Sequence, residues 1–320
     1  MNQDENVKKV HNFKKYLHES IKGQDEAIQD VFDIFSTGEL DLREAGKPRG
    51  SFIFMGPTGV GKTEITKLAS KYFFDEDPIK INMPEFSRPE NITKLIGDHT
   101  GKLGQLGDAI VKRSEEKGGV ILFDEMEKAH PTIVDICLSM LDEAEVTCGP
   151  SRLLNLRNFY LVFTSNVGSH KILSLKKTND KDLLLQVIRG EFIRRGYRPE
   201  FLARFDKLVI FDFIKARVAR EIALLNLHNE SARFAQKANI DKITWTNDII
   251  NAACLNGYNR DGGVRPMRRY IQANLFEEAY KRLVFSDKDF HGHMELRLCD
   301  ETNLPFLEPF DSEVKLLQPN

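Results

Sequence analysis

The sequence lacks most of the features that mark membrane, secreted and nucleic-acid-binding proteins. No apolar run approaches the roughly 20 residues of a membrane-spanning helix. The four cysteines include no C-x-x-C pair, which disfavours a disulfide framework or a zinc site and favours reduced thiols. The net charge is only −2, so a general nucleic-acid or membrane-surface role has no support. The first residues are polar and acidic, unlike a signal peptide, and we expect a cytoplasmic protein.

What the sequence does contain is an ordinary globular composition, 41% hydrophobic and 29% charged, over 320 residues. Apolar strands alternate with amphipathic helices up to residue 213, which predicts an α/β fold with a three-layer parallel sheet. From residue 214 the pattern becomes mainly helical, with one alternating segment near residues 294–298 that predicts a terminal edge strand. We therefore expect a short helical lead-in (1–20), a large α/β domain (21–213), a small helical domain with a short sheet element (214–305) and a tail (306–320).

The most informative stretch is Gly-Pro-Thr-Gly-Val-Gly-Lys-Thr at residues 56–63, which fits the P-loop pattern G-x-x-x-x-G-K-[ST]. An apolar strand precedes it and a helical pattern follows, as the motif requires. Its glycines let backbone N–H groups wrap a triphosphate, while Lys62 can reach the β/γ-phosphates and the Thr63 hydroxyl can bind Mg²⁺. The residues expected to bind nucleotide in this loop are Pro57, Thr58, Gly59, Val60, Gly61, Lys62 and Thr63.

Polar side chains follow two further apolar strands. Residues 120–123 run directly into Asp124 and Glu125, the Walker B pattern, in which Asp124 joins the Mg²⁺ shell and Glu125 polarises the attacking water. Asn166 follows the strand at 159–163 and would point into the same crevice, although an asparagine at a strand end is also a common turn residue.

Together these stretches resemble the AAA+ module of Clp-type unfoldases and disaggregases, specifically the second, C-terminal ATPase module of the two-ring members. The resemblance extends over about residues 18–300 in unbroken order. The matching stretches are 23–27, the P-loop with Glu64, 122–131, 164–166, 198–206 and 263–269.

The resemblance implies further site residues. Asn166 matches sensor 1, and Arg265 matches sensor 2, which is carried on a helical lid and aimed at the γ-phosphate. Arg204 matches the arginine finger that reaches the neighbouring subunit's nucleotide, which implies a homo-hexamer. Taken in isolation, Arg204 could equally form a surface salt bridge and Arg265 could be an ordinary helix-start arginine. The residues implied to line the adenine pocket are Ile21, Gly23 and Gln24.

The sequence departs from this family at the substrate-threading pore loop. The family carries a Gly-aromatic-Val-Gly segment here, whereas this chain has Lys102 at the aromatic position, followed by Leu103, in a loop several residues shorter. A lysine cannot supply the flat apolar grip of an aromatic ring, but it can hold a carbonyl or an acidic group. The chain also lacks the Ile-Gly-Phe or Ile-Gly-Leu tripeptide between residues 166 and 198, which disfavours a barrel peptidase as partner.

The leading hypothesis is an ATP- and Mg²⁺-dependent AAA+ motor, in a hexameric ring, that remodels a dedicated protein client. Lys102 and Leu103 would face that client. A second hypothesis keeps the nucleotide site and discards threading, giving an ATP-gated assembly switch or scaffold. A third, a nucleic-acid motor or loader, would need a basic ring that the balanced total charge disfavours.

Overall fold

A computed structural model of the chain describes residues 3–171, 181–259, 262–285 and 292–310. The chain divides into two compact units. The first comprises residues up to 213 except 58–60, and the second comprises residues 58–60 and those from 214 onward. Over the described ranges, no helix is both long and apolar enough to cross a membrane.

The first unit is built on a parallel five-stranded sheet. Its strands are β1 (Gly50–Met55), β2 (Ile79–Asn82), β3 (Gly119–Asp124), β6 (Phe159–Ser165) and β7 (Lys207–Ile210), in the order β2-β3-β6-β1-β7. Every residue of β1 and β6 is buried, because helices cover both faces of the sheet. The strand β6 lies between β1 and β3, so the chain segments that follow these three strands meet at one edge.

Helices fill the connections between these strands. The first helix runs for 18 residues and lies within the lead-in expected at 1–20. It is held by Phe13, which is fully buried and packs against Phe35 and Phe73. The helices are α1 (Gln3–Ser20), α2 (Asp25–Glu39), α3 (Lys62–Phe74), α4 (Ile92–Ile96), α5 (Gly104–Arg113), α6 (Pro131–Glu143), α7 (Lys181–Arg194) and α8 (Pro199–Ala203).

A small antiparallel hairpin stands apart from the main sheet. It is formed by β4 (Glu145–Cys148) and β5 (Arg152–Asn155), with Val146 opposite Leu154. The sequence did not predict these strands, since four-residue segments with little alternation carry almost no periodic signal.

The second unit combines helices with a three-stranded sheet. Its helices are α9 (Ala216–Ala238), α10 (Asn247–Gly257) and α11 (Arg265–Tyr270), the last continuing through a π-helical segment (Ile271–Glu277) into α12 (Glu278–Val284). Its strands are β8 (Lys242–Trp245), β9 (His293–Leu298) and β10 (Pro305–Pro309), in the order β10-β9-β8.

Two expectations for this unit were wrong. The segment at 294–298 was expected at a sheet edge, but β9 is the middle strand, parallel to β8 and antiparallel to β10. Residues 306–320 were expected to form a tail, but 306–309 belong to β10, where Leu307 is buried, and 311–320 lie outside the described residues. Strand order depends on pairing between distant segments, which alternation along one segment does not reveal.

Candidate functional site

The P-loop connects β1 to α3 and closes around its own lysine. Gly61 precedes the helix with a φ of +108°, a conformation that residues with a Cβ rarely adopt. The ammonium of Lys62 donates hydrogen bonds to the carbonyl oxygens of Gly56 and, at 2.9 Å, of Pro57. The loop therefore presents a cation and the N-terminus of a helix, the arrangement that binds phosphate groups.

Lys62 links the P-loop to the next strand of the sheet. Its ammonium donates to Asn166 Oδ1 at 2.8 Å, and Asn166 Nδ2 donates to Glu127 Oε1 at 3.1 Å. Burial lowers the pKa of Lys62 to about 8, against the opposing attraction of Glu127 and the two neighbouring acids. The ammonium is thus desolvated, so an incoming anion would interact with it strongly.

The two acids Asp124 and Glu125 are held by one hydroxyl group. Thr164, on β6, donates to Asp124 Oδ1 at 2.6 Å and accepts from the Glu125 N–H at 2.9 Å. Glu125 adopts a left-handed backbone conformation with a φ of +59°. The turn that follows β3 therefore depends on a contact from the neighbouring strand.

Asp124 also pairs with Lys80 on β2, whose ammonium lies 2.7 Å from Asp124 Oδ2. Burial opposes ionisation of Asp124, but hydrogen bonds from Lys80 and Thr164 outweigh it and hold the pKa of Asp124 below its usual value. The carboxylate is ionised at neutral pH, as a metal ligand must be.

The donor set fits magnesium. No group of three His, Cys, Asp or Glu side chains converges as a metal cage in the part of the chain described. Mg²⁺ is usually held by one or two carboxylates together with substrate phosphates rather than by an all-protein cage. Asp124 supplies an ionised carboxylate at the strand end, and the half-buried Thr63 at the start of α3 offers a hydroxyl oxygen.

The residues expected at the adenine lie where two chain segments meet. Gln24 is buried and exchanges two hydrogen bonds with the backbone of Asp212, each 2.9 Å long. Gly23 has a φ of +70°, and the Ile21 side chain lies 3.9 Å from the point that a Cβ on Gly61 would occupy. The segment is thus fixed next to the P-loop.

A family comparison accounts for this combination of loop, acids and amide. Residues 47–208 match the model of the AAA domain (Cdc48 subfamily), which covers half of the chain. The chain belongs to this AAA family. The matched segment includes the P-loop, Asp124, Glu125 and Asn166.

Similar curated proteins identify the branch of the family. The chain is 33% identical over 303 residues to the chaperone protein ClpB of Prochlorococcus marinus, which covers 92% of this chain and 34% of the relative. It is 36% identical over 283 residues to ClpB of Mycoplasmoides gallisepticum, covering 86% and 38%. It is 31% identical over 274 residues to the mitochondrial ClpB4 of Arabidopsis thaliana, covering 82% and 28%. The chain is a Clp-type AAA+ ATPase module, and it spans about a third of the length of these relatives.

Arg204 of this AAA+ module lies away from the residues around Lys62. Its side chain is exposed and pairs with Asp142 Oδ1 on α6 at 2.6 Å. Two residues later, the Asp206 N–H donates to the Ser51 carbonyl at the start of β1. The P-loop follows the other end of that strand, so a strand of six residues, roughly 3.3 Å each, separates the two positions.

Arg265 belongs to the second unit of the AAA+ module. It is the first residue of α11 and is exposed. In the same unit, the Val264 N–H donates to the Gly59 carbonyl at 3.2 Å. The assignment of Arg265 to the γ-phosphate stays a prediction.

The pore-loop region is a short, closed loop. The Asp98 N–H donates to the Lys102 carbonyl at 3.2 Å, and the Asp98 carboxylate accepts from the Thr100 hydroxyl and N–H, which hold the pKa of Asp98 below its usual value. At the base, a Cβ on Gly97 would lie 1.8 Å from the Lys102 carbonyl oxygen. Lys102 is exposed and Leu103 is half-buried.

Sequence reasoning missed three residues of the site. In the sequence, Thr164 stands out only as part of a motif, Glu127 is merely the third residue after Asp124, and Lys80 resembles an ordinary polar position of a strand. Each contacts a site residue that lies on or after a neighbouring strand. The order of strands in the sheet reveals these contacts, whereas the spacing of residues along the chain does not.

Proposed function

We propose that this AAA+ module hydrolyses ATP within a homo-hexameric ring and uses the energy to remodel a dedicated protein client in the cytosol, as a chaperone-like motor. The observation that supports this most is the convergence of a desolvated P-loop lysine, an amide and two acids at the carboxyl edge of one parallel sheet.

Each residue of this edge has a defined task in the proposed reaction. Lys62 binds the β/γ-phosphates, Asn166 orients the γ-phosphate and the nucleophilic water, and Glu125 accepts the developing proton of that water. Thr63 and Asp124 would hold Mg²⁺, which neutralises phosphate charge when bound. Ile21, Gly23 and Gln24 would line the adenine, and Arg265 would sense the γ-phosphate.

The position of Arg204 supports its action on a neighbouring subunit. Its backbone is close to the start of β1, on the order of 15 Å along the strand from the P-loop of its own chain. An arginine side chain does not cover that distance, which supports the proposal that Arg204 completes the site of another copy. A cation delivered in this way stabilises the charge of the transition state.

Mixing two inactive variants tests this composite site. Glu125→Gln removes the acid that activates water but keeps the arginine finger. Arg204→Ala removes the arginine finger but keeps that acid. We expect each variant alone to lose at least about 100-fold in ATP turnover, and a mixture to regain activity because Glu125→Gln subunits supply Arg204 to intact sites.

The matched control is Arg198→Ala. Arg198 is also exposed and also pairs with an α6 carboxylate, Asp135, at 3.1 Å. It should keep wild-type turnover. A fully active Arg204→Ala protein, or a mixed oligomer without recovered turnover, would contradict the assignment.

The exposed side chain of Lys102, rather than the charge of the whole loop, supports an acidic client. Lys102 borders an open cavity of about 610 Å³. The turn between β4 and β5 lies next to this loop. The Gly149 N–H donates at 2.7 Å to the carbonyl of Ile96, the last residue of α4, and a Cβ on Gly149 would lie 3.1 Å from the Lys102 carbonyl oxygen. Arg152, the first residue of β5, is exposed. Neither Lys102 nor Arg152 forms a salt bridge with any residue in the described ranges.

The loss of the aromatic residue also favours a second candidate, an ATP-gated assembly switch. In that case the client would bind at Lys102 but would not be threaded. A client carrying a stably folded, fluorescent domain separates the two: the motor unfolds the domain during ATP hydrolysis, and the switch binds it without loss of fluorescence.

A further inference from the structure

We propose that Thr164 is the positioning residue of the hydrolytic site and that its hydroxyl sets both acids at once. This inference rests on the proposed function, in which Asp124 holds the metal and Glu125 activates water. In this assignment Thr164 is not itself a reacting group. It acts through the side chain of the first acid and the backbone of the second.

The hydroxyl is used in both directions. Thr164 Oγ1 donates to Asp124 Oδ1 at 2.6 Å, the short distance typical of a hydroxyl bound to a carboxylate. The same oxygen accepts from the Glu125 N–H at 2.9 Å. Thr164 is 1% exposed, so solvent has little access to the side chain that makes these two bonds. Only a group that both donates and accepts can make the pair of bonds, and a hydroxyl is the smallest.

The two contacts matter because the chain turns sharply between the acids. Asp124 ends β3, whereas Glu125 has a φ of +59°, which is unfavourable for a residue with a Cβ. The hydrogen bond from its N–H offsets that cost. With Asp124 Oδ1 bound to Thr164 and Oδ2 paired with Lys80, the carboxylate plane is fixed before any ligand arrives.

The strand order explains why this residue comes from β6. Phe123 pairs with Phe163 in the register of β3 and β6, so the next residues of the two strands, Asp124 and Thr164, come to lie side by side. Asn166 follows two residues later and bonds to Lys62. The end of β6 thus positions the acids with one residue and contacts the P-loop with another.

The test compares Thr164→Val, which keeps the branched shape and removes the hydroxyl, with Thr164→Ser, which keeps the hydroxyl and removes a methyl group. Residues that orient metal ligands typically change metal affinity or activity by 10- to 100-fold. For Thr164→Val we expect kcat to fall by about 10- to 100-fold, with Thr164→Ser staying within about 3-fold of wild type.

A binding measurement adds a readout that does not depend on turnover. We expect the Mg²⁺ concentration that half-saturates binding of a fluorescent, non-hydrolysable ATP analogue to rise about 10-fold or more in Thr164→Val. Binding of the same analogue in EDTA should stay unchanged, because the P-loop is not altered. A purely structural defect would weaken both.

Ser51→Ala is the matched control. The Ser51 hydroxyl also donates to a carboxylate, Asp206 Oδ2 at 2.9 Å, and accepts from a backbone N–H, that of Asp206 at 3.1 Å. It lies at the opposite end of a strand in the same sheet and is 3% exposed. Its loss should lower the melting temperature without changing the Mg²⁺ dependence of analogue binding.

The outcomes separate this inference from the proposed function. If Glu125→Gln hydrolyses ATP like wild type, the proposed function fails. If Glu125→Gln is inactive while Thr164→Val keeps wild-type kcat and Mg²⁺ dependence, only the positioning by Thr164 is wrong. If Thr164→Val does not fold, Thr164→Ser tests the inference. Wild-type Mg²⁺ dependence of analogue binding in Thr164→Ser supports the role of the hydroxyl, and a 10-fold shift in that dependence overturns it.

Discussion

Two loops, the P-loop at 56–63 and the pore loop at 97–104, are stabilised in opposite ways. The P-loop encloses a buried cation that bonds to its own carbonyl groups and to the next strand. The pore loop is closed by its backbone and by Asp98, and it leaves Lys102 exposed. The first loop holds a buried cation in place for an anionic ligand, whereas the second leaves a cation exposed to solvent.

The two loops therefore specify different parts of the function of the chain. In the P-loop, the buried ammonium of Lys62 contacts the loop carbonyl groups and Asn166. These contacts within the module indicate that the ligand is a phosphate, and they indicate the class of reaction. In the pore loop, the side chain that distinguishes this chain has no salt-bridge partner among the residues described. Variants of the two loops should therefore have separable effects.

The largest effect is expected at the P-loop. Lys62→Ala removes the desolvated ammonium and leaves Asn166 Oδ1 without its donor. We expect ATP-analogue affinity to fall at least about 100-fold, measured by equilibrium fluorescence, because hydrogen bonds to charged groups contribute about 1.5–3 kcal/mol each. Lys67→Ala, which removes an exposed lysine from the same helix, should bind normally. Equal affinities for the two variants would contradict the site.

A backbone change should break the pore loop and spare the nucleotide site. Gly97→Ala places a Cβ 1.8 Å from the Lys102 carbonyl oxygen, at a φ of +85°. Gly101→Ala has a similar φ of +103°, but nothing lies within 4 Å of its Cβ. We expect Gly97→Ala to lower the free energy of unfolding by about 2 kcal/mol more than Gly101→Ala in urea titrations.

The same pair of variants checks that the loops are separable. Nucleotide affinity should stay within about 2-fold of wild type for both, since neither glycine contacts the P-loop. If Gly97→Ala is no less stable than Gly101→Ala, the closed base of the pore loop is not the native arrangement.

A smaller effect is expected for the exposed charge. Lys102→Ala should weaken binding of a fluorescent polyglutamate peptide by about 3- to 10-fold at low salt, since one partly screened contact is lost. Lys112→Ala, an exposed lysine of α5 outside the loop, is the control. A polylysine peptide or single-stranded DNA bound more tightly than polyglutamate would overturn the acidic-client proposal.

The sequence was sufficient to predict features of the fold and of the site whose pattern lies within a few neighbouring residues. The P-loop spacing, the alternation of strands and helices, and the Asp-Glu pair after an apolar run all lie within a few residues, and they predicted the α/β fold. The sequence was insufficient to predict contacts that depend on pairing between strands far apart along the chain. Thr164 meets Asp124 only because β6 lies beside β3, and β9 is internal only because β10 pairs with it.

A pH dependence is expected for the buried lysine of the P-loop. Burial lowers the pKa of Lys62 to about 8, from an ordinary value near 10.5. A bound phosphate raises this pKa again, so binding takes up a proton once Lys62 is deprotonated in the free protein. ATP-analogue affinity should therefore be constant below about pH 7 and fall by less than 10-fold per pH unit above pH 8.

Calorimetry in buffers of different ionisation enthalpy would measure this proton uptake directly. Lys62→Met binds weakly but has no titratable group at this position, so its affinity should not change between pH 8 and pH 9.5. Lys102 is exposed, and Lys102→Met should keep the full pH dependence of nucleotide binding. If Lys62→Met keeps that dependence too, a group other than the P-loop lysine controls it, and the P-loop is less desolvated than its burial implies.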